Sequence, residues 1–121
     1  MNFVFNNEMP IYVQLVEQIK IHIISGTLAA GERLPSVRDL ALKCKVNPNT
    51  LQKALLELEE MGLIYTERTN GKYVTENLEL IEKHKKEYAD ALSKKFIAAM
   101  GNIGFDCESA IKYLESLGGR D

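Results

Sequence analysis

Tryptophan is absent from this sequence, proline occurs three times, and cysteine and histidine twice each. Each scarcity removes a class of chemistry. Cys44 and Cys107 match no zinc or redox spacing, and they read as reduced thiols packed like small apolar residues. His22 and His84 stand alone, with no second histidine or cysteine at i+3 or i+4, so no metal or other cofactor is expected. With no Ser/His/Asp or Cys/His set and no phosphate loop, an enzyme is not expected either. No apolar run reaches the roughly 20 residues of a membrane span. The opening "MNFVFNNEMP" lacks the basic start and apolar stretch of a secretory signal, so a cytoplasmic location is expected. A net positive charge is missing too: 15 basic residues face 17 acidic ones.

The sum of charges conceals their distribution. Residues 33–53 carry Arg33, Arg38, Lys43, Lys45 and Lys53 against Asp39 alone, five basic residues to one acidic. Glu57, Glu59 and Glu60 follow at once. A compact basic region on an acidic chain is the electrostatic footprint sought in nucleic-acid binders. At 121 residues, 45% hydrophobic and 26% charged, the chain has the composition of one globular domain or a small domain with an appendage.

Apolar spacing organises the chain. In "PIYVQLVEQIKIHIIS", Tyr12, Leu15, Ile19 and Ile23 recur at helical intervals, with Pro10 suited to the first turn and Ser25-Gly26 to the end. "TLAAGERL" is a short turn or strand around Gly31. Ser36 with Asp39 three residues on resembles a capping box and starts a second helix, whose inward residues are Val37, Leu40 and Ala41 and which ends near Cys44-Lys45. Asn47-Pro48 starts a third. Asn caps a free backbone N–H, and Pro at the first helical position loses no hydrogen bond. Leu51, Ala54, Leu55, Leu58 and Met61 form its buried stripe, and Gly62 ends it. "LIYTER" and "KYVTE" then flank "TNG" as a hairpin with an Asn70-Gly71 turn signal.

The predicted fold is therefore mostly α with one small β-hairpin: a winged helix-turn-helix over residues 8–75, followed by a short two-helix region over 76–121. In that second region Ile81, Tyr88, Leu92, Phe96 and Ala99 line a helix of about 22 residues starting at Leu78. "GNIGFD" breaks it. Asp106 caps a last helix, Phe105 is placed to staple onto Ala110, and Gly118-Gly119 closes it.

A helix-turn-helix lays its second helix in the major groove and reads base edges with that helix's first turns. Here those turns carry Asn47, Asn49, Thr50, Gln52 and Lys53. Asn and Gln pair bidentately with adenine, Thr meets a thymine methyl, and Lys reaches guanine or phosphate. Capping accounts for Asn47, but it leaves Asn49, Thr50 and Lys53 idle unless they face double-stranded DNA. Arg33 and Arg38 approach the helix pair as phosphate clamps, Arg38 also as a base contact. Asn70, Gly71 and Lys72 lie at the wing, with Lys72 beside the backbone. Tyr12, Tyr65, Tyr73 and Val74 are expected to pack.

Residues 26–74 resemble the DNA-binding domain of the GntR family of bacterial transcription regulators. The matching residues are Gly26-x-Leu28, Gly31-x-Arg33-Leu34-Pro35-Ser36-x-Arg38, Leu40-Ala41, Ala54-Leu55, Leu58, Gly62-Leu63-Ile64 and the wing's Gly71 and Val74. "VNPNT" with the short tail is similar to the YtrA subfamily. The resemblance implies a homodimer on a palindromic operator, with Ser36 and Arg38 of the "LPSxR" motif and the start of the recognition helix at the DNA. It also implies control of transporter genes and leaves a small-molecule effector as a partner that no residue names. Pro48 stands where many members carry arginine, Gln52 where they often carry a second basic residue, and "TNGKYV" where a glycine-rich wing is usual, so base preference is expected to differ.

The region 76–121 holds seven basic and nine acidic residues, so it is not a second DNA arm. About 46 residues are too few for an independent core. Pairing with a second copy would bury Tyr88, Leu92, Phe96, Ile111 and Leu114, and symmetric dimers are the commonest oligomers. The expectation is thus a dimeric operator-binding repressor. The competing reading is a winged-helix module that binds protein, which predicts weak salt dependence and tolerance of changes at Asn49, Thr50 and Lys53.

Overall fold

A computed structural model describes residues 1–118. The chain forms two compact units, one over Met1–Lys85 and one from Lys86 onward. Five helices and one antiparallel hairpin follow in the order α1 (Ile11–Ile24), α2 (Val37–Cys44), α3 (Pro48–Glu60), β1 (Ile64–Glu67), β2 (Gly71–Val74), α4 (Leu78–Asn102) and α5 (Cys107–Ser116).

The caps read from the sequence are in place. Ser36 Oγ accepts from the Asp39 N–H at 3.1 Å, and Asn47 Oδ1 accepts from the Asn49 N–H at 2.8 Å. Each satisfies a donor that the helix cannot, worth about 1 kcal/mol. Pro10 differs from expectation by one position: it is the N-cap of α1, and its carbonyl accepts from the N–H groups of Val13 and Gln14. Gly62 follows α3 at φ +79°, a backbone conformation that suits glycine, and a Cβ there would meet Leu80 Cδ2 at 3.0 Å. Between α2 and α3, Lys45 occupies the left-handed region at φ 58° and ψ 47° without being glycine.

The core of the first unit joins one face from each helix. Leu15, Ile19 and Ile23 of α1 meet Leu40 and Ala41 of α2 and Leu51, Ala54, Leu55 and Leu58 of α3, with Leu63, Ile64 and Val74 from the hairpin. Each such leucine or isoleucine, taken out of water, contributes about 1.5–3 kcal/mol. Val37 and Met61 pack at the margin, half-buried. Cys44 is part of this core, and burial pushes its thiol pKa up against the lowering effect of Lys43. Cys107, expected to pack in the same way, is instead exposed at the first position of α5.

The hairpin register pairs Ile64 with Val74 and Tyr65 with Tyr73, whose rings stack at 5.5 Å. Its loop is Arg68-Thr69-Asn70, and Gly71 already belongs to β2 opposite Glu67. The segment "GERL" lies along the other edge of β2. Leu34 N–H donates to the Lys72 carbonyl at 2.8 Å, Val74 N–H donates to the Glu32 carbonyl at 2.9 Å, and Arg33 bridges Tyr73. The approach to α2 is thereby fastened to the wing.

Residues 1–9 carry no periodicity, yet they are bound to α1 by two glutamines one turn apart. Gln18 accepts from the Val4 N–H and donates to the Val4 carbonyl; Gln14 does the same for Asn6 and also donates to the Met9 carbonyl. Phe3 stacks on His22, and Met1, Phe3 and Phe5 pack against the core.

In the second unit, α4 outlasts the expected length because Gly101 is carried inside it; the chain turns at Gly104. Asp106 caps α5 by accepting from Ser109 N–H at 2.8 Å, which lowers its carboxyl pKa. Phe105 meets the Tyr113 ring edge-on at 5.5 Å, and Ala110 is buried. Gly119 lies outside the described residues.

Candidate nucleic-acid interface

The first turns of α3 leave the molecule polar on one side and seal it on the other. Asn47, Asn49, Gln52 and Lys53 are exposed and Thr50 is half-buried, while Leu51, Ala54 and Leu55 are buried beneath them. The local reason is the helical period: positions 49, 50, 52 and 53 lie off the 51–54–55–58 stripe that faces α1 and α2. The free N–H groups of the helix start face the same solvent as these side chains.

A second group converges from α2 and the wing. Arg33, Ser36, Gly71 and Lys72 line one open cleft of about 330 Å³ with Arg68. The Arg33 guanidinium runs past Gly71, where a Cβ would meet Arg33 Nε at 3.5 Å; Gly71 itself is at φ +105°. Arg38 is exposed in the first turn of α2 but does not line this cleft. The expected set therefore forms one cluster on α3 and a second of Arg33, Ser36, Gly71 and Lys72 between the α2 approach and the wing, with Arg38 and Asn70 outside the cleft.

Besides Ser36 and Asn47, which cap α2 and α3, three of these side chains already have partners inside the protein. Asn70 Nδ2 donates to Glu67 Oε2 at 3.2 Å. Lys72 Nζ lies 2.8 Å from Glu59 Oε1 and 2.9 Å from Thr66 Oγ1, and Thr66 donates to the same carboxylate oxygen. Burial alone would raise the Glu59 pKa, but the hydrogen bonds from Lys72 and Thr66 and the lysine charge bring it below its ordinary value. Lys72 thus lines the cleft with its ammonium turned onto Glu59 of α3. Lys53 Nζ sits over the Tyr12 ring, 3.8 Å from its centroid. By contrast Arg33, Arg38 and Arg68 form no ion pair among the described residues.

Arg68 was not among the residues expected at the interface. Its signal in the sequence was a basic residue beside the Thr-Asn-Gly turn, but with the loop assigned to Asn70-Gly71 it counted as a strand residue. Tyr12 was expected only to pack. It does so half-exposed, as a platform for Lys53.

In the second unit, Leu92, Phe96, Ile111 and Leu114 line one open apolar groove of about 410 Å³ between α4 and α5, together with Ile97 and Cys107. These four residues, expected at a subunit contact, are all exposed, Leu92 at 54% and Ile111 at 52%. Tyr88 is half-buried and lies outside this groove. Among the described residues no group of three or more His, Cys, Asp or Glu could hold a metal ion, and no helix is long and apolar enough to cross a membrane.

Comparison with known proteins agrees with this geometry. The model of the bacterial regulatory proteins of the gntR family matches residues 11–74. The chain is 31% identical over 112 residues to the HTH-type transcriptional regulator YhcF of Bacillus subtilis, covering 93% of each. It is 47% identical over 68 residues to the HTH-type transcriptional repressor YtrA of the same organism, covering 56% of this chain and 52% of that one. A GntR family transcriptional regulator from Listeria monocytogenes superposes with a TM-score of 0.86 at 43% identity, over 93% of this chain and 98% of the other. With the winged helix-turn-helix, its exposed polar helix start and these matches in agreement, the chain belongs to the GntR family of DNA-binding transcriptional regulators, on its YtrA-like side.

Proposed function

We propose that this chain is a homodimeric repressor that binds a palindromic operator. Residues 8–75 serve as the DNA-binding domain and residues 76–121 as the dimerisation region. The observation that carries this reading is the polar start of α3 standing exposed over a fully buried stripe, with no side-chain partner for Asn49 or Gln52 among the described residues.

In this reading α3 enters the major groove. Asn47, Asn49, Thr50 and Gln52 reach base edges, and Lys53 reaches guanine or phosphate. Arg33, Ser36, Arg38 and the wing at Asn70 and Gly71 contact the backbone. Lys72 acts through the wing's attachment to Glu59, and Arg68 supplies the wing's free charge. Tyr88, Leu92, Phe96, Ile111 and Leu114 form the contact between subunits. Exposed leucine and phenylalanine gathered in one groove is what a missing partner leaves behind. Transporter genes as targets belong to this reading through the likeness to the YtrA subfamily, a small-molecule effector through the larger family members, and a cytoplasmic location through the N-terminal sequence. The reading requires no cofactor and no catalytic step.

The test is fluorescence anisotropy with duplex DNA from upstream of the protein's own gene, titrated across salt concentrations beside Asn49→Ala. Tight binding that falls steeply with salt is expected, with Asn49→Ala costing about 1–3 kcal/mol on the specific duplex and little on a random one. Salt-insensitive binding that ignores Asn49→Ala would sink the reading in favour of a protein-binding winged helix.

A further inference from the structure

Lys53 and Tyr12 are 41 positions apart and belong to different helices, yet the lysine ammonium lies over the tyrosine ring, 3.8 Å from its centroid. Both helices are rigid where the pair sits. Tyr12 is the second residue of α1, whose first turn is set by Pro10: φ is −54° there, and the carbonyl accepts from both Val13 and Gln14. Leu15 and Ile19 behind it and Leu51, Ala54 and Leu55 on the facing helix are buried to within 1%. The ring is therefore a fixed platform, and the flexible partner is the lysine.

From this geometry we infer that Tyr12 is a positioning residue for Lys53 at the DNA surface. This rests on the reading of Lys53 as a DNA contact. A lysine side chain free in water samples many rotamers and must give them up on binding. Tyr12 removes part of that cost beforehand by holding the ammonium against its π face. Lys53 remains exposed, so its N–H groups that point away from the ring are free for a phosphate or a guanine. Its neighbour Gln52 is exposed with no such ring beneath it among the described residues.

The experiment is a double-mutant cycle in the full chain, read by anisotropy on a duplex that the wild-type protein selects from random-sequence oligonucleotides. The variants are Tyr12→Phe, Tyr12→Leu, Lys53→Met and Tyr12→Leu with Lys53→Met. Tyr12→Leu is expected to weaken binding about two- to fivefold, Tyr12→Phe to retain wild-type affinity, and Tyr12→Leu to change nothing further once Lys53 is methionine. In the free protein, the Lys53 ε-methylene protons are expected to show an upfield ring-current shift, which needs no destabilising variant. Three results overturn the positioning role by itself. One is an unshifted Lys53 signal. Another is a Tyr12→Leu loss of equal size in the Lys53→Met background. The third is no Tyr12→Leu loss where Lys53→Met does weaken binding, which leaves the DNA contact standing. If Lys53→Met itself leaves affinity unchanged, the contact reading fails and the positioning role falls with it.

Discussion

Lys72 Nζ lies 2.8 Å from Glu59 Oε1, which ties the wing's lysine to the second half of α3. Both side chains are about a quarter exposed, at 22% and 25%. Thr66 Oγ1 completes the cluster. The hairpin is therefore held to the recognition helix by charge as well as by the buried contacts of Ile64 and Val74.

This cluster makes stability depend on pH. Folding lowers the Glu59 pKa, so the unfolded chain takes up the proton first as pH falls. The stabilisation is complete above the ordinary value of 4.5 and disappears as pH drops through the lower folded value. Glu59→Gln keeps the shape and an acceptor oxygen but not the charge. At pH 7 it should unfold about 0.5–1 kcal/mol more easily than wild type in urea. The gap should narrow steadily as pH falls below 4.5; a gap that does not narrow at all would mean that packing, not charge, holds the wing.

Lys45 offers a gain. It sits at φ 58° in the turn between α2 and α3, and its N–H bonds back to the Leu42 carbonyl. A side chain in the left-handed region costs about 1–2 kcal/mol, which glycine avoids in exchange for some entropy in the unfolded chain. Lys45→Gly should therefore raise the urea midpoint by an amount equivalent to about 0.5–1 kcal/mol. Lys45→Ala, which keeps the Cβ, should not.

The N-terminal arm depends on Gln14, which is 8% exposed and bonds to Asn6 twice and Met9 once. Gln14→Leu leaves those backbone groups unpaired and should destabilise the first unit by about 1–3 kcal/mol. Amide exchange at Asn6 should accelerate markedly, while exchange at Leu51 should follow only the global loss. Slow Asn6 exchange in the variant would show that Phe3 and Phe5 suffice to hold the arm.

What could be read from the sequence was whatever a short window determines. Ser36, Asn47-Pro48 and Gly62 mark helix ends by local hydrogen bonding and backbone preference, and all three sit where those preferences put them. The polar start of α3 was visible because helical period alone separates Asn49 and Gln52 from Leu51 and Ala54. The hairpin loop was misplaced by register. Asn70-Gly71 is a good local turn signal, but the β1–β2 register pairs Gly71 with Glu67, which makes Gly71 a strand residue and leaves Arg68 in the loop. The pairings of Lys72 with Glu59 and of Lys53 with Tyr12 join distant positions, and no periodicity encodes them. Nor does any periodicity announce the arm, since glutamine side chains supply the bonds that a strand would otherwise provide.

The commitments of the wing's two cations lead to opposite expectations on DNA. Arg68 is exposed in the loop, lines the cleft with Arg33 and Ser36, and has no ion pair among the described residues. A cation in that state can displace a counterion from a phosphate, so Arg68→Ala should flatten the plot of log affinity against log salt by about one unit. Lys72 already has its counterion in Glu59. Removing the lysine alone would expose that carboxylate and repel the backbone, so the informative variant is Lys72→Met with Glu59→Gln, which removes both charges together. Its salt slope should stay close to wild type even if affinity falls because the wing is looser. The two slopes, measured on the same duplex, separate a side chain that meets DNA from one that holds the element that does. If the double variant loses the full unit and Arg68→Ala loses none, Lys72 leaves Glu59 on binding and takes the phosphate itself.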